Sequence, residues 1–396
     1  MRRLITINVP APSDIIFFEK RGILICISHL IRLYLRKIKS VRSDYGQQNR
    51  PFIRYIAYLQ IIGIIFVVLG HSFHEYPDGQ MGTSTLLYRM MYNFRMPLFM
   101  FVSGFLMVFT SFMSTGRKTP GIGRFVLGKI LRLGIPFLTL SLVTFIPRSA
   151  LSGLADDNVS LDFVSLWHGL VFTDNLIVPL FWFLQASFIL LVFTFTYLTL
   201  SGRSRIPDWL TYTLLIILFL ILPEIELSRP DFFSIGQAFR LGIYFALGAA
   251  YARFGKRIDN MINWHSPATM LGFALLWAIL FFVSESYPFT YRIASLAGIA
   301  ACISLAHWLD HRRIGILDHL TGANYIIFLL SWYLNVAAQQ VLRHFVELPW
   351  ICYTLLSITA GIYVPWAFYV WMRRHPDSRF VRGCAFFLGQ NLRKKR

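Results

Sequence analysis

Apolar residues run along this chain in long blocks, without the two-residue alternation of strands or the narrow stripe of a soluble amphipathic helix. Ten blocks stand out, at roughly 55–73, 88–113, 124–146, 178–200, 208–223, 232–254, 267–284, 291–308, 320–342 and 350–372. About 17–25 apolar residues suffice to cross the hydrocarbon of a bilayer as a helix. Only helices and closed barrels cross it with every backbone polar group satisfied. The pattern therefore predicts an all-α, polytopic membrane bundle of about ten transmembrane helices over 55–372. The fifth block, ending at Pro223, is the weakest of the ten.

The polar positions between the blocks are sorted by sign. If the N-terminal tail is cytoplasmic, the even-numbered connections carry Arg117, Lys118, Arg124, Arg203, Arg205, Arg253, Lys256, Arg257, Arg312 and Arg313. With both tails, Lys129 and Arg132, 31 of the 38 Lys and Arg residues fall on that side. The opposite loops hold Glu75, Asp78, Asp156, Asp157, Asp162, Asp174, Glu224, Glu226, Asp231, Glu285 and Glu347. This is the positive-inside pattern. It predicts cytoplasmic termini, an even number of spans and a place in the cell's inner or plasma membrane. The chain thus divides into a basic tail (1–54), a membrane domain (55–372) and a second basic tail (373–396). Within the first tail, Ser28–Lys39 reads as an amphipathic helix on an anionic membrane face, or as a disordered arm. The longest external loop, 147–177, carries Trp167 and His168; loops of that length are usually functional or disordered.

Composition supports this reading. Of 396 residues, 56% are apolar and 14% charged, with a mean hydropathy of +0.56; soluble domains carry about 25% charged residues. A net charge of +19 would suit nucleic acid, but its one-sided distribution assigns it to membrane orientation, and no nucleic-acid partner is expected. Cys26, Cys302, Cys352 and Cys384 are scattered, so neither a disulfide framework nor a metal site is predicted. Pro10, Pro12 and Asp14 interrupt any signal-peptide core near the start.

Against this apolar background, a few polar residues carry the candidate chemistry. Gln60 and His71 bracket an apolar helix about 16 Å long, followed by His74 and Glu75. An imidazole at membrane depth tends to face protein or water and to have a role; the plain alternative is that His71 ends the helix at the interface. The stretch Phe94-Arg95-Met96-Pro97 places an arginine before a kink, and Ser103-Gly104 permits close helix approach. Arg95 reads as a snorkelling side chain or a substrate contact. Lys129 and Arg132, three apart, share a helix face suited to phosphate or to anionic lipid. Trp182 opens an aromatic cluster of the kind found in membrane-interface belts. No Ser-His-Asp arrangement, P-loop, Rossmann glycine pattern or metal motif appears. Spacing alone fits an enzyme or a transporter.

Tyr55–His71, Phe94–Phe105, Lys129–Pro136, Trp182-Phe183-Leu184 and Gly322–Leu330 resemble, in that order, the signature segments of the integral-membrane acyltransferase 3 family. That family includes O-acetyl- and O-succinyltransferases of bacterial surface polysaccharides. The second-helix pattern is most similar to the fucose 4-O-acetylase-like, exopolysaccharide-modifying branch. The resemblance implies an acyl-CoA donor (acetyl- or succinyl-CoA) on the cytoplasmic side, a polysaccharide or lipid-linked glycan acceptor outside, and no permanently bound cofactor. It implies a catalytic role for His71, and donor contacts from Lys129 and Arg132 with Gln60 and Arg54 nearby. Arg95, Ser103, Trp182, His74 and Glu75 fall to the substrate. Three positions depart from the family pattern: Gln60 replaces its first-helix basic residue, Arg95 its second-helix histidine and Ser331 its late histidine. The competing readings are a flippase or exporter of a glycan intermediate, and a non-catalytic partner of a polysaccharide synthase.

Overall fold

The structure, a computed structural model, describes residues 53–72, 82–113, 119–150, 160–204, 206–224, 231–284, 287–338, 345–346 and 348–390. The expected amphipathic helix of the N-terminal tail, and with it Cys26, His74 and Glu75, lie outside these residues. The described residues form an all-α bundle. α1 (Arg54–Ser72) and α2 (Gly82–Ser111) are followed by α3 (Ile122–Lys129), a π-helical turn (Ile130–Gly134) and α4 (Ile135–Ala150). Then come α5 (Phe163–Val171), α6 (Trp182–Ser201), α7 (Asp208–Ile221), α8 (Ile235–Met261) and α9 (Pro267–Val283). α10 (Pro288–His311), α11 (Asn324–Val336), α12 (Trp350–Arg374) and α13 (Arg379–Phe387) complete the order.

Helices fall in each of the ten apolar blocks, but the expected count of ten spans is not reached on length and composition. Six segments are long and apolar enough to cross a membrane, namely Arg54–Ser72, Tyr88–Ser111, Ile122–Ser149, Pro179–Ser201, Phe289–His311 and Ile351–Arg374. α7, α9 and α11 are apolar but shorter. α8 has 27 residues, yet its Arg240, Arg253, Lys256, Arg257 and Asp259 interrupt the apolar run. Two further helices were not foreseen. α5 lies inside the long 147–177 connection, capped where Asp162 accepts from the Ser165 amide at 2.7 Å. α13 lies in the basic C-terminal tail, with Val381 and Ala385 buried and Phe380 and Phe387 exposed.

Between Gln60 and His71, α1 is apolar on every side, the mark of an interior helix. It packs against α2, α10, α11 and α12. α2 and α8 form the closest pair: a Cβ on Gly104 would stand 2.0 Å from the Phe245 carbonyl oxygen, and one on Gly248 1.9 Å from that of Phe101. The Ser103-Gly104 step allows the close approach its sequence suggests. At the periphery, α9 turns Leu271, Leu275 and Ile279 outward, as lipid contact requires. The chain is a multi-pass membrane protein.

Prolines shape both helices that border the interior. Pro97 sits within α2 and has no N–H for the Asn93 carbonyl four residues back. The Ser295 hydroxyl of α10 donates to that carbonyl instead, at 2.8 Å. Pro136 likewise leaves the Arg132 carbonyl without its helical donor, and the helix widens there into the π turn, where the Ile135 amide bonds the Ile130 carbonyl. The Tyr325 hydroxyl of α11 donates to the Arg132 oxygen at 2.5 Å.

Candidate active site

An inner cavity of about 390 Å³ opens between α1, α2, the π turn, α6 and α11. That volume falls within the range of small-molecule pockets. Gln60, Ser103, Lys129 and Arg132 line it together. The straight-helix argument for Lys129 and Arg132 needs correction, because the π turn begins between them; both nonetheless reach the cavity. The Lys129 ammonium lies 4.9 Å from the Phe125 ring centroid, and the Arg132 guanidinium 5.6 Å from that of Tyr325. No Asp or Glu is among the described residues lining the cavity. Two cations lining one cavity favour an anionic ligand.

The far wall of the cavity is aromatic. Phe99 packs onto Gly63 of α1, its ring 3.1 Å from where a Cβ would be. It meets Phe183 edge-on at 5.8 Å, and Phe183 meets Phe328 at 5.4 Å. Trp182 is edge-on to Phe183 at 6.0 Å but is not a lining residue.

His71 lies beyond this wall, eight residues past Gly63 and about 12 Å further along α1. It is half-buried. Arg95 is brought to the same place: its Nη1 would stand 1.7 Å from a Cβ on Gly70, so the guanidinium rests on the backbone next to His71. Arg95 is 2% exposed, deep in the protein where a snorkelling side chain would reach water. Asn93, two residues before it, is fastened on both sides, donating to the Tyr291 carbonyl at 3.0 Å and accepting from the Trp277 indole at 3.3 Å. The candidate residues thus divide into an inner group at the cavity and an outer pair, His71 and Arg95.

Arg54 does not line the cavity. Its guanidinium meets Asp318 at 2.9 Å and Asp310 at 3.8 Å, and the buried Tyr58 hydroxyl donates to Asp318 at 2.6 Å. The Tyr58 hydrogen bond and then the Arg54 guanidinium hold the Asp318 carboxyl below the usual carboxylate range. Ser331 is buried, with its hydroxyl unpartnered, near Gly361 and the Asn335–Ser357 pair; Val68 of α1 borders the same glycine. A second hollow, about 480 Å³, is lined by Arg148, Ser165, His168, Thr173, Asp174 and Asn175 at the α5 connection.

Sequence reading missed Phe99 and Tyr325, although both stand inside segments it singled out. Pro136 was the available signal for Tyr325, since a proline four residues after Arg132 requires a donor from elsewhere.

A membrane bundle with a cationic inner cavity and, beyond it, a half-buried histidine beside a buried arginine fits group transfer from an anionic carrier. Residues 53–370 match the family model described as an acyltransferase domain, and the chain belongs to the acyltransferase 3 family. It is accordingly an acyltransferase, which sets aside the exporter reading that composition left open. No curated protein and no solved structure matches the chain.

Proposed function

We propose that this protein moves an acetyl or succinyl group from cytoplasmic acyl-CoA to a hydroxyl of an exported or surface polysaccharide, at the inner membrane and with both termini cytoplasmic. The observation that carries the reading is the cavity that Lys129 and Arg132 line together with Gln60 and Ser103. Those two cations hold the CoA phosphates. The narrow acyl-bearing arm extends past Gln60 and Ser103 towards the aromatic wall at Phe99, which must turn aside for the thioester to reach His71.

At His71 the acceptor hydroxyl attacks the thioester carbonyl. As its oxygen bonds to the carbonyl carbon, its proton passes to the imidazole and the carbonyl electron pair becomes an oxyanion. The carbonyl then re-forms, the carbon–sulfur bond breaks, and the departing thiolate takes the proton from the imidazolium. The products are the ester and free CoA. The imidazole must be neutral when the acceptor binds, because only then has it a lone pair to take the proton.

The test is acyl-CoA turnover by the protein in lipid nanodiscs with a polysaccharide acceptor. His71→Ala removes a positioned base, for which a loss of about 10²–10⁴-fold in kcat is expected. Lys129→Ala with Arg132→Ala weakens CoA binding and spares kcat at saturating donor. Wild-type turnover by the His71 variant would sink the mechanism, and unchanged CoA affinity in the double variant would return those cations to lipid anchoring.

A further inference from the structure

We infer that the outer end of α1 holds an anion subsite centred on Arg95, which receives a negatively charged oxygen of the group handled beside His71. The inference deepens the acyl-transfer reading and rests on it for the identity of that group.

A guanidinium keeps its charge at any physiological pH and is normally buried only with a carboxylate or phosphate partner. Arg95 has none among the described residues. It is 2% exposed, and its Nε and Nη1 are buried without a hydrogen-bond acceptor. The compensation it does have comes from two tyrosines: its guanidinium carbon lies 4.7 Å from the Tyr92 ring centroid and 5.4 Å from that of Tyr88, whose hydroxyl also accepts a hydrogen bond from it, and neither contact reaches Nε or Nη1. Cation–π contact offsets part of the desolvation of an arginine and satisfies none of its N–H groups. The arrangement is also held in place. Asn93 ties the preceding turn of α2 to α9 and α10. Gly70 leaves no Cβ where Nη1 rests. A charge fixed this firmly with open N–H valences favours a ligand that brings the missing acceptor.

The face that opens is the Tyr92 side. Tyr92 is 47% exposed, so rotation of its ring uncovers the guanidinium without disturbing the core. Two sources of anionic oxygen fit beside His71. One is the oxyanion formed on the acyl carbonyl during transfer. The other is a carboxylate carried by the substrate, such as the free end of a succinyl group. Both use the same charge-assisted hydrogen bonds.

The experiment compares wild type, Arg95→Gln and Arg95→Lys in nanodiscs, with acetyl-CoA and succinyl-CoA as donors. The thermal shift given by sodium succinate, against sodium chloride at equal ionic strength, is recorded alongside. If the anion is the oxyanion, Arg95→Gln lowers kcat about 10²–10³-fold with both donors, leaves KM unmoved, and Lys restores part of the rate. If it is a substrate carboxylate, Arg95→Gln raises KM for succinyl-CoA, spares acetyl-CoA, and loses the succinate shift. Either result supports the subsite. A wild type that turns over neither donor but shows an Arg95-dependent succinate shift defeats the acyl-transfer reading and leaves the anion subsite standing. A folded Arg95→Gln protein with wild-type kinetics on both donors and an unchanged succinate response overturns the subsite. So does a loss of melting temperature shared equally by Gln and Lys and accounting for all lost activity, which would make Arg95 a packing residue.

Discussion

Tyr325→Phe isolates the hydroxyl that completes the π turn. The substitution keeps the ring, and with it the stacking of Arg132 at 5.6 Å, and removes one O–H donor. The lost partner is the Arg132 carbonyl, held at 2.5 Å, which Pro136 has already deprived of its helical donor. An acceptor left unsatisfied costs about 1–3 kcal/mol when buried and less where water can replace the donor, as at this exposed position. Part of this cost falls on global stability. The rest falls on the geometry of the π turn, because the strand of backbone that loses its tether is the one aiming Arg132 into the cavity. If about 1.4 kcal/mol reaches the donor site, donor affinity falls about tenfold. CoA binding by calorimetry in nanodiscs measures this directly, with a thermal melt beside it and steady-state kinetics as a third reading. KM for donor should rise while kcat holds, since His71 lies beyond the aromatic wall. A variant that melts earlier yet binds CoA as wild type does would refute the link between the Tyr325 tether and the cavity, and leave Tyr325 as a fold contact only.

Three further outcomes follow from the packing and electrostatics. Gly248→Ala places a methyl 1.9 Å from a backbone oxygen of α2, so the two helices must part; a stability loss of about 1–3 kcal/mol in a detergent or nanodisc melt is expected, and an unchanged melt would contradict the close crossing. Asp318 has a carboxyl depressed by Tyr58 and Arg54. Its contribution is therefore present above the unfolded-state pKa of about 4 and is lost as pH falls through the lower folded value. Because its side chain is half exposed, the effect is small: acid melts of Asp318→Asn should show a shallower decline below about pH 4, and a slope identical to wild type would deny the linkage. Phe99→Ala removes a ring of the wall between cavity and His71. Acyl-CoA hydrolysis without acceptor should rise, and a rate matching wild type would show that the ring is no barrier.

How much of this was legible in the sequence differs by level. The apolar blocks placed helices in each of the ten segments, because lipid leaves the backbone little alternative. Block length did not separate spanning helices from shorter ones, since α7, α9 and α11 are apolar throughout yet end sooner. α5 and α13 escaped because their short amphipathic runs sit in stretches that read as connection and tail. At the site, Gln60, Lys129 and Arg132 were readable as a donor group and Ser103 was placed with the substrate; that all four line one cavity was not readable, because it depends on the crossing of several elements. Arg95 was legible as a departure from the family pattern. That it lies against Gly70 at His71, buried and without an anionic partner, depends on the α1–α2 packing that no spacing in either helix encodes.

The two prolines have a consequence for how the bundle keeps its alignment. In an uninterrupted helix each carbonyl is claimed from within, and neighbouring helices are free to slide past one another on apolar surfaces. Pro97 and Pro136 each release one carbonyl, and a hydroxyl from another helix takes it: Ser295 for Asn93, Tyr325 for Arg132. A bond that was private to one helix becomes a rivet between two, buried at Ser295 and exposed at Tyr325. Replacing either proline by alanine would then straighten and satisfy its own helix while loosening its neighbour, so a substitution that improves one part would unlatch the pair.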